Sequence, residues 1–186
     1  MNNCVYLKYN FKIKNSARTV FAVTLWILTA LCLVAIFLFS NQSGDESQQL
    51  SDGLLGFLLK LLGPLIDSFI VRKIAHFFEF LVLAFCLSGA LFFTKKRFLP
   101  LAAFISGVLY AVSDELHQYF VPERACRLFD VFVDSCGVLT GVLIFAGLLA
   151  LFNFVLLKRR NKRKVSVISP RLFFLKRGQE DSGCQK

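Results

Sequence analysis

The run Val20-Phe21-Ala22-Val23-Thr24-Leu25-Trp26-Ile27-Leu28-Thr29-Ala30-Leu31-Cys32-Leu33-Val34-Ala35-Ile36-Phe37-Leu38-Phe39-Ser40 contains no charged residue. About 20 residues of helix cross a hydrocarbon core about 30 Å thick. A helix also pairs its own backbone groups, as a segment in lipid must. The run therefore reads as a membrane span. It exceeds the ~7–15 apolar residues of a signal peptide, and no small-x-small cleavage site follows, so it is expected to remain as a helix. Three more runs resemble it: 74–93, interrupted only by His76 and Glu79; 98–113, with no charge; and 131–157, interrupted only by Asp134. The expectation is an all-α, polytopic membrane protein built as a four-helix transmembrane bundle. Composition agrees, with a mean hydropathy of +0.62 and 18% charged residues, too few to coat a soluble domain.

The net charge of +10 is unevenly spread. Lys8, Lys12, Lys14 and Arg18 precede the first run, and Lys95, Lys96 and Arg97 lie between the second and third. Lys158, Arg159, Arg160, Lys162, Arg163, Lys164, Arg171, Lys176, Arg177 and Lys186 follow the fourth. These segments hold 17 of the 22 bases and 2 of the 12 acids, Glu180 and Asp181. Bases beside spans set topology and touch anionic lipid. The pattern therefore puts all three segments in the cytoplasm, with both termini inside, and argues against a nucleic-acid partner. The expected organisation is a basic N-terminus over 1–19, a membrane domain over 20–157 and a basic tail over 158–186, disordered or lying on the inner surface past Ser166.

Residues 41–71 join the first two runs. A polar turn leads to the apolar stretch 54–62, too short to span, and Gly63-Pro64 breaks it from 65–71. A crossing here would move Lys95, Lys96 and Arg97 outside, so the segment is expected to be a re-entrant or interfacial hairpin on the outer face. The six cysteines show no CxxC spacing and read as free thiols.

Polar side chains cluster at the ends of these runs. Arg72, His76 and Glu79 are spaced i, i+4, i+7 with Lys73 beside them. Asp114 aligns with His117 and Gln118, and Arg127, Asp130 and Asp134 are spaced i, i+3, i+7. Intramembrane charge is costly, so these faces are expected to turn inward and meet, with Arg72 or Lys73 pairing Asp130 or Asp134. The continuing Gly137-x-x-x-Gly141 permits close backbone approach. Three readings stand together. The first is a satisfied structural or proton-passing network. The second is an acid–base site using His76, Glu79, Asp114, Glu115 and His117, with Arg124 or Arg127 holding an anion. The third is a divalent metal site on His76, Glu79, Glu115 and His117; no cofactor is otherwise expected.

Four blocks resemble the VanZ-like family of bacterial membrane proteins. They are Ser40-Asn41-Gln42-Ser43-Gly44-Asp45-Glu46-Ser47, Arg72-Lys73-Ile74-Ala75-His76-Phe77-Phe78-Glu79, Asp114-Glu115-Leu116-His117-Gln118, and Val121-Pro122-Glu123-Arg124 with Asp130, Val131 and Gly137. The resemblance implies a multi-pass protein of the bacterial plasma membrane and a link with resistance to the glycopeptide teicoplanin; the family has no established reaction. Its motif positions here are Gln42, Ser43, Arg72, Lys73, His76, Glu79, Asp114, Glu115, His117, Gln118, Arg124, Asp130 and Asp134. The chain departs from the pattern at Glu123, where the family carries glycine, which sets an extra acid beside Arg124. The expected activity is the binding or modification of an amphiphilic envelope component, a membrane lipid or lipid-linked molecule, at the outer face. The alternative is a non-enzymatic role for the polar cluster.

The charge partition makes a direct prediction. Single cysteines placed at positions 45 and 123 of a cysteine-free chain should react with an impermeant maleimide added to intact cells, and those at 96 and 162 should not. Labelling at 96 would overturn the four-span topology.

Overall fold

The computed structural model of the chain describes residues 15–42, 68–122 and 127–181. Four helices and no strand occur among them: α1 (Asn15–Ser40), α2 (Ser68–Lys95), α3 (Pro100–Gln118) and α4 (Leu128–Asp181). The all-helical membrane architecture read from the sequence is therefore present. Three stretches, Asn15–Ser40, Ile70–Lys95 and Leu128–Arg159, are long and apolar enough to cross a membrane. The shorter α3 has 19 residues, roughly 28 Å at ~1.5 Å per residue, and ends in the polar Ser113-Asp114-Glu115-Leu116-His117-Gln118. Those six residues continue the helix, where the uncharged run stops at Ser113. Ser68 to Val71, assigned above to the hairpin, belong to the first turn of α2. The rest of the expected re-entrant segment, 43–67, lies outside the described residues.

By packing, the chain divides at Gly147 into two units, Met1–Gly147 and Leu148–Lys186. The second holds the end of α4, which stays helical to Asp181, so the chain past Ser166 is not the disordered one of the two alternatives drawn from the sequence. In the first unit the helices alternate in direction. Leu25 of α1 reaches Gly89 of α2, the Trp26 indole donates to Thr94 Oγ1 at 3.0 Å, and Phe21 stacks on Phe93. The turn into α3 bends at Lys96, whose φ of 57° closes α2 while its N–H bonds Phe92 O at 2.9 Å. Pro100 then opens α3, where its fixed φ suits a first turn and its missing N–H goes unneeded.

The core joins Ile36 of α1, Phe80, Leu83 and Ala84 of α2, Ala103 and Ala111 of α3, and Val138 and Val142 of α4. The buried stripe of α3, Ala103, Gly107, Ala111, Asp114, Glu115 and Gln118, changes from small to polar along its length. Phe85, Phe92 and Phe98 surround Phe145, with ring centroids 5.6–5.9 Å apart. The outward faces carry large apolar side chains such as Phe21, Val23, Leu31, Leu38, Leu143 and Leu151. That is the reverse of a water-soluble surface and suits contact with acyl chains. Cys32, Cys86 and Cys136 are free thiols, as expected.

The closest approach is between α4 and α2. A Cβ at Gly137 would overlap the carbonyl oxygen of Phe77, and one at Gly141 the carbonyl oxygen of Leu81. Both obstacles are backbone, which cannot rotate aside. Gly141→Leu should therefore destabilise the bundle by about 1–3 kcal/mol or more through overpacking. Gly147→Ala, whose added methyl meets no atom within 4 Å, should be neutral or slightly stabilising. Thermal unfolding of the two purified variants in detergent checks the pair; equal melting temperatures would refute the seam.

Candidate functional site

At one end of the first unit, each buried acid has its own surroundings. Asp114 and Gln118 lie one turn apart on α3, facing the last residue of α1. The Ser40 hydroxyl donates to Asp114 Oδ2 at 2.8 Å, and Gln118 Nε2 donates to the same oxygen at 2.9 Å and to Ser40 Oγ at 3.1 Å. All three residues are buried, and the two bonds to Oδ2 meet part of the carboxylate's need for donors. Nearby on the same helix pair, the Tyr110 hydroxyl donates to Leu33 O at 2.7 Å. Ser40 was not among the site residues expected from the sequence. Its only signal was its place at the head of the first family block, and a serine closing an apolar run ordinarily faces interfacial water.

Glu115, 1% exposed, performs a different task. Its Oε2 accepts the backbone N–H of Arg127 at 3.1 Å, at the residue preceding α4. A helix start has unpaired N–H groups and a positive dipole end, so this carboxylate acts as a cap supplied by another helix.

The facing of α2 and α4 expected from their spacing is realised. Lys73 Nζ forms an ion pair with Asp130 Oδ1. One turn deeper, His76 Nδ1 stands 3.9 Å from Glu79 Oε2 and 4.0 Å from Asp134 Oδ1. Asp134 is 1% exposed, and neither of its oxygens accepts a hydrogen bond from a described residue. Glu115, Asp114, Asp130 and Lys73 all lie within its electrostatic reach. Among the described residues the cluster thus brings together the carboxylates Glu79, Asp114, Glu115, Asp130 and Asp134 with Lys73 and His76.

The remaining expected residues lie at or beyond its margin. The His117 ring tilts against Phe37 of α1 with centroids 4.9 Å apart, so the two histidines have different neighbourhoods. Arg72 and Gln42 are half-buried, and the Gln42 N–H bonds Phe39 O at 3.3 Å. Ser43, Arg124 and Glu123 lie outside the described residues. Among the described residues, no three His, Cys, Asp or Glu side chains gather to hold a metal ion, so His76, Glu79, Glu115 and His117 do not form such a centre.

Beside the cluster runs an apolar groove of about 560 Å³, lined by Ile70, Lys73, Ile74, Phe77, Phe78, Phe129 and Val133 of α2 and α4. Lys73 belongs to both features. Its stem lines the groove, and its ammonium reaches the carboxylates.

Comparison with curated proteins and with solved structures finds no match. A family model described as VanZ/LLP1 matches residues 25–167, from the middle of α1 into the far part of α4 and across every element of the cluster. The chain belongs to the VanZ/LLP1 family of membrane proteins.

Proposed function

We propose that this chain acts at the outer face of the bacterial plasma membrane and holds an amphiphilic envelope component. The apolar part would lie in the groove between α2 and α4, and the head at the carboxylate cluster. The observation that carries this reading is Lys73, shared by groove and cluster, which joins a hydrocarbon-like channel to a polar site. Pockets of ~300–1,000 Å³ with apolar walls and a few convergent polar groups are typical small-molecule sites. The alternating helices support the outward orientation. They set the cluster at the end of the bundle opposite the Lys95, Lys96 and Arg97 turn, which the charge rule assigns to the cytoplasm.

On this reading Lys73, Asp130 and Asp134 contact the head, with Arg72, Gln42, Gln118, Ser43 and Arg124 around it. Any modification of the bound molecule would use His76 with Glu79 or Asp134 to move a proton, with Glu115 and His117 as further titratable groups. Asp114 fits the structural reading better, because its bonds to Ser40 and Gln118 tie α1 to α3. The cellular outcome we propose is tolerance to lipid-anchored glycopeptides such as teicoplanin, whose acyl anchor and polar body match a groove with a polar end.

Expression in a susceptible bacterium should raise the inhibitory concentration of teicoplanin and leave unchanged that of a glycopeptide lacking an acyl chain. Val133→Trp, which fills the groove, should remove the protection while expression and melting temperature hold. Protection that survives a filled groove, or that extends equally to the glycopeptide without an acyl chain, would refute the reading.

A further inference from the structure

The cluster beside the groove has a charge imbalance that bears on what it accepts. Asp114 already takes two side-chain donors, Glu115 takes the Arg127 N–H, and Asp130 takes the Lys73 ammonium. Asp134 is the exception. Its carboxylate is 1% exposed, it accepts no hydrogen bond from a described residue, and His76 Nδ1 at 4.0 Å is beyond hydrogen-bonding length. A buried carboxylate with unused acceptor sites is costly, and a donor that reaches it gains accordingly.

We infer, resting on the amphiphile reading above, that the head group taken at this site is an ammonium, so the occupant is an amine-bearing amphiphile and not a phosphate-bearing one. An ammonium has three donors and one positive charge in a compact group. It can meet Asp134 and share Asp130 with Lys73, whose positions one turn apart put both acids on the same face of α4. A phosphate could pair with Lys73 but would meet repulsion from the carboxylates around it. The groove walls agree, because the faces of Phe77, Phe78 and Phe129 attract a passing cation as well as a hydrocarbon chain.

The test uses the purified full chain in phosphatidylcholine nanodiscs, titrated calorimetrically with dodecylammonium and with dodecyl phosphate. Dodecylammonium should bind saturably and at least about tenfold more tightly than dodecyl phosphate, and Asp134→Asn should weaken it by about tenfold, as loss of a charged hydrogen bond predicts. Asp130→Asn supplies a second reading should the first variant fold poorly, and it should weaken binding in the same direction. Equal or tighter binding of dodecyl phosphate, or unchanged ammonium affinity in both folded variants, overturns the inference. If both probes bind equally and Val133→Trp blocks both, the groove reading stands and the ammonium inference falls. If neither probe binds, or Val133→Trp blocks neither, the amphiphile reading itself falls, and the inference with it.

Discussion

The polar facing of α2 and α4 is registered by one close backbone contact, the seam where Gly137 and Gly141 of α4 lie against Phe77 and Leu81 of α2. The two helices run parallel there, and the same register carried back toward their starts sets Asp134 opposite His76 and Asp130 opposite Lys73. Lipid tails are as apolar as leucine, so helices in a membrane gain little from hiding apolar surface and depend on close packing and polar contacts. Small residues at the seam provide the first and thereby position the second. Shifting α4 by a turn would lose both at once.

Within that frame the carboxylates are handled by four separate means. Asp114 is met by side chains from its own helix and from α1, Glu115 by a backbone N–H at a helix start, and Asp130 by a lysine. Asp134 has the more distant imidazole of His76 and the field of Lys73, and no hydrogen-bond donor among the described residues. A bundle stabilised purely by internal pairing would not leave both oxygens of a buried carboxylate without a hydrogen bond from a described residue. The difference between the acids that accept a bond or an ion pair and the one that accepts no hydrogen bond from a described residue is what separates the scaffold from the candidate site.

Much of this was readable in the sequence, for identifiable reasons. Apolar runs near the length of a bilayer marked α1, α2 and α4, because backbone satisfaction in lipid allows little else. The i, i+3, i+4 spacing of Lys73, His76, Asp130 and Asp134 gave their shared facing, and Gly137-x-x-x-Gly141 gave the close approach. What stayed hidden depends on partners without side-chain identity or on unexpected burial. The cap on α4 uses the Arg127 N–H, which every non-proline residue possesses. Ser40 looked like the end of a run until Asp114 and Gln118 enclosed it. The polar end of α3 agrees with the helical spacing of Asp114, His117 and Gln118, since polar residues that would end an isolated span can continue a helix when other helices satisfy them. The divergent surroundings of His76 and His117 follow from α1 packing against α3, an arrangement no spacing rule encodes.

The short, polar-ended α3 has a consequence for how the protein is made. Its stripe of Asp114, Glu115 and Gln118 finds partners on α1 and at the entrance to α4, so α3 alone would keep only the bond from Gln118 to Asp114. Early in synthesis α1 is already present with Ser40 at its end, whereas the Arg127 N–H emerges only after α3 is complete. Integration of α3 therefore waits on the chain that follows it. The bond from the Arg127 N–H to Glu115 can form only once the start of α4 follows α3 out of the ribosome, which ties the last polar contact of α3 to the order of synthesis.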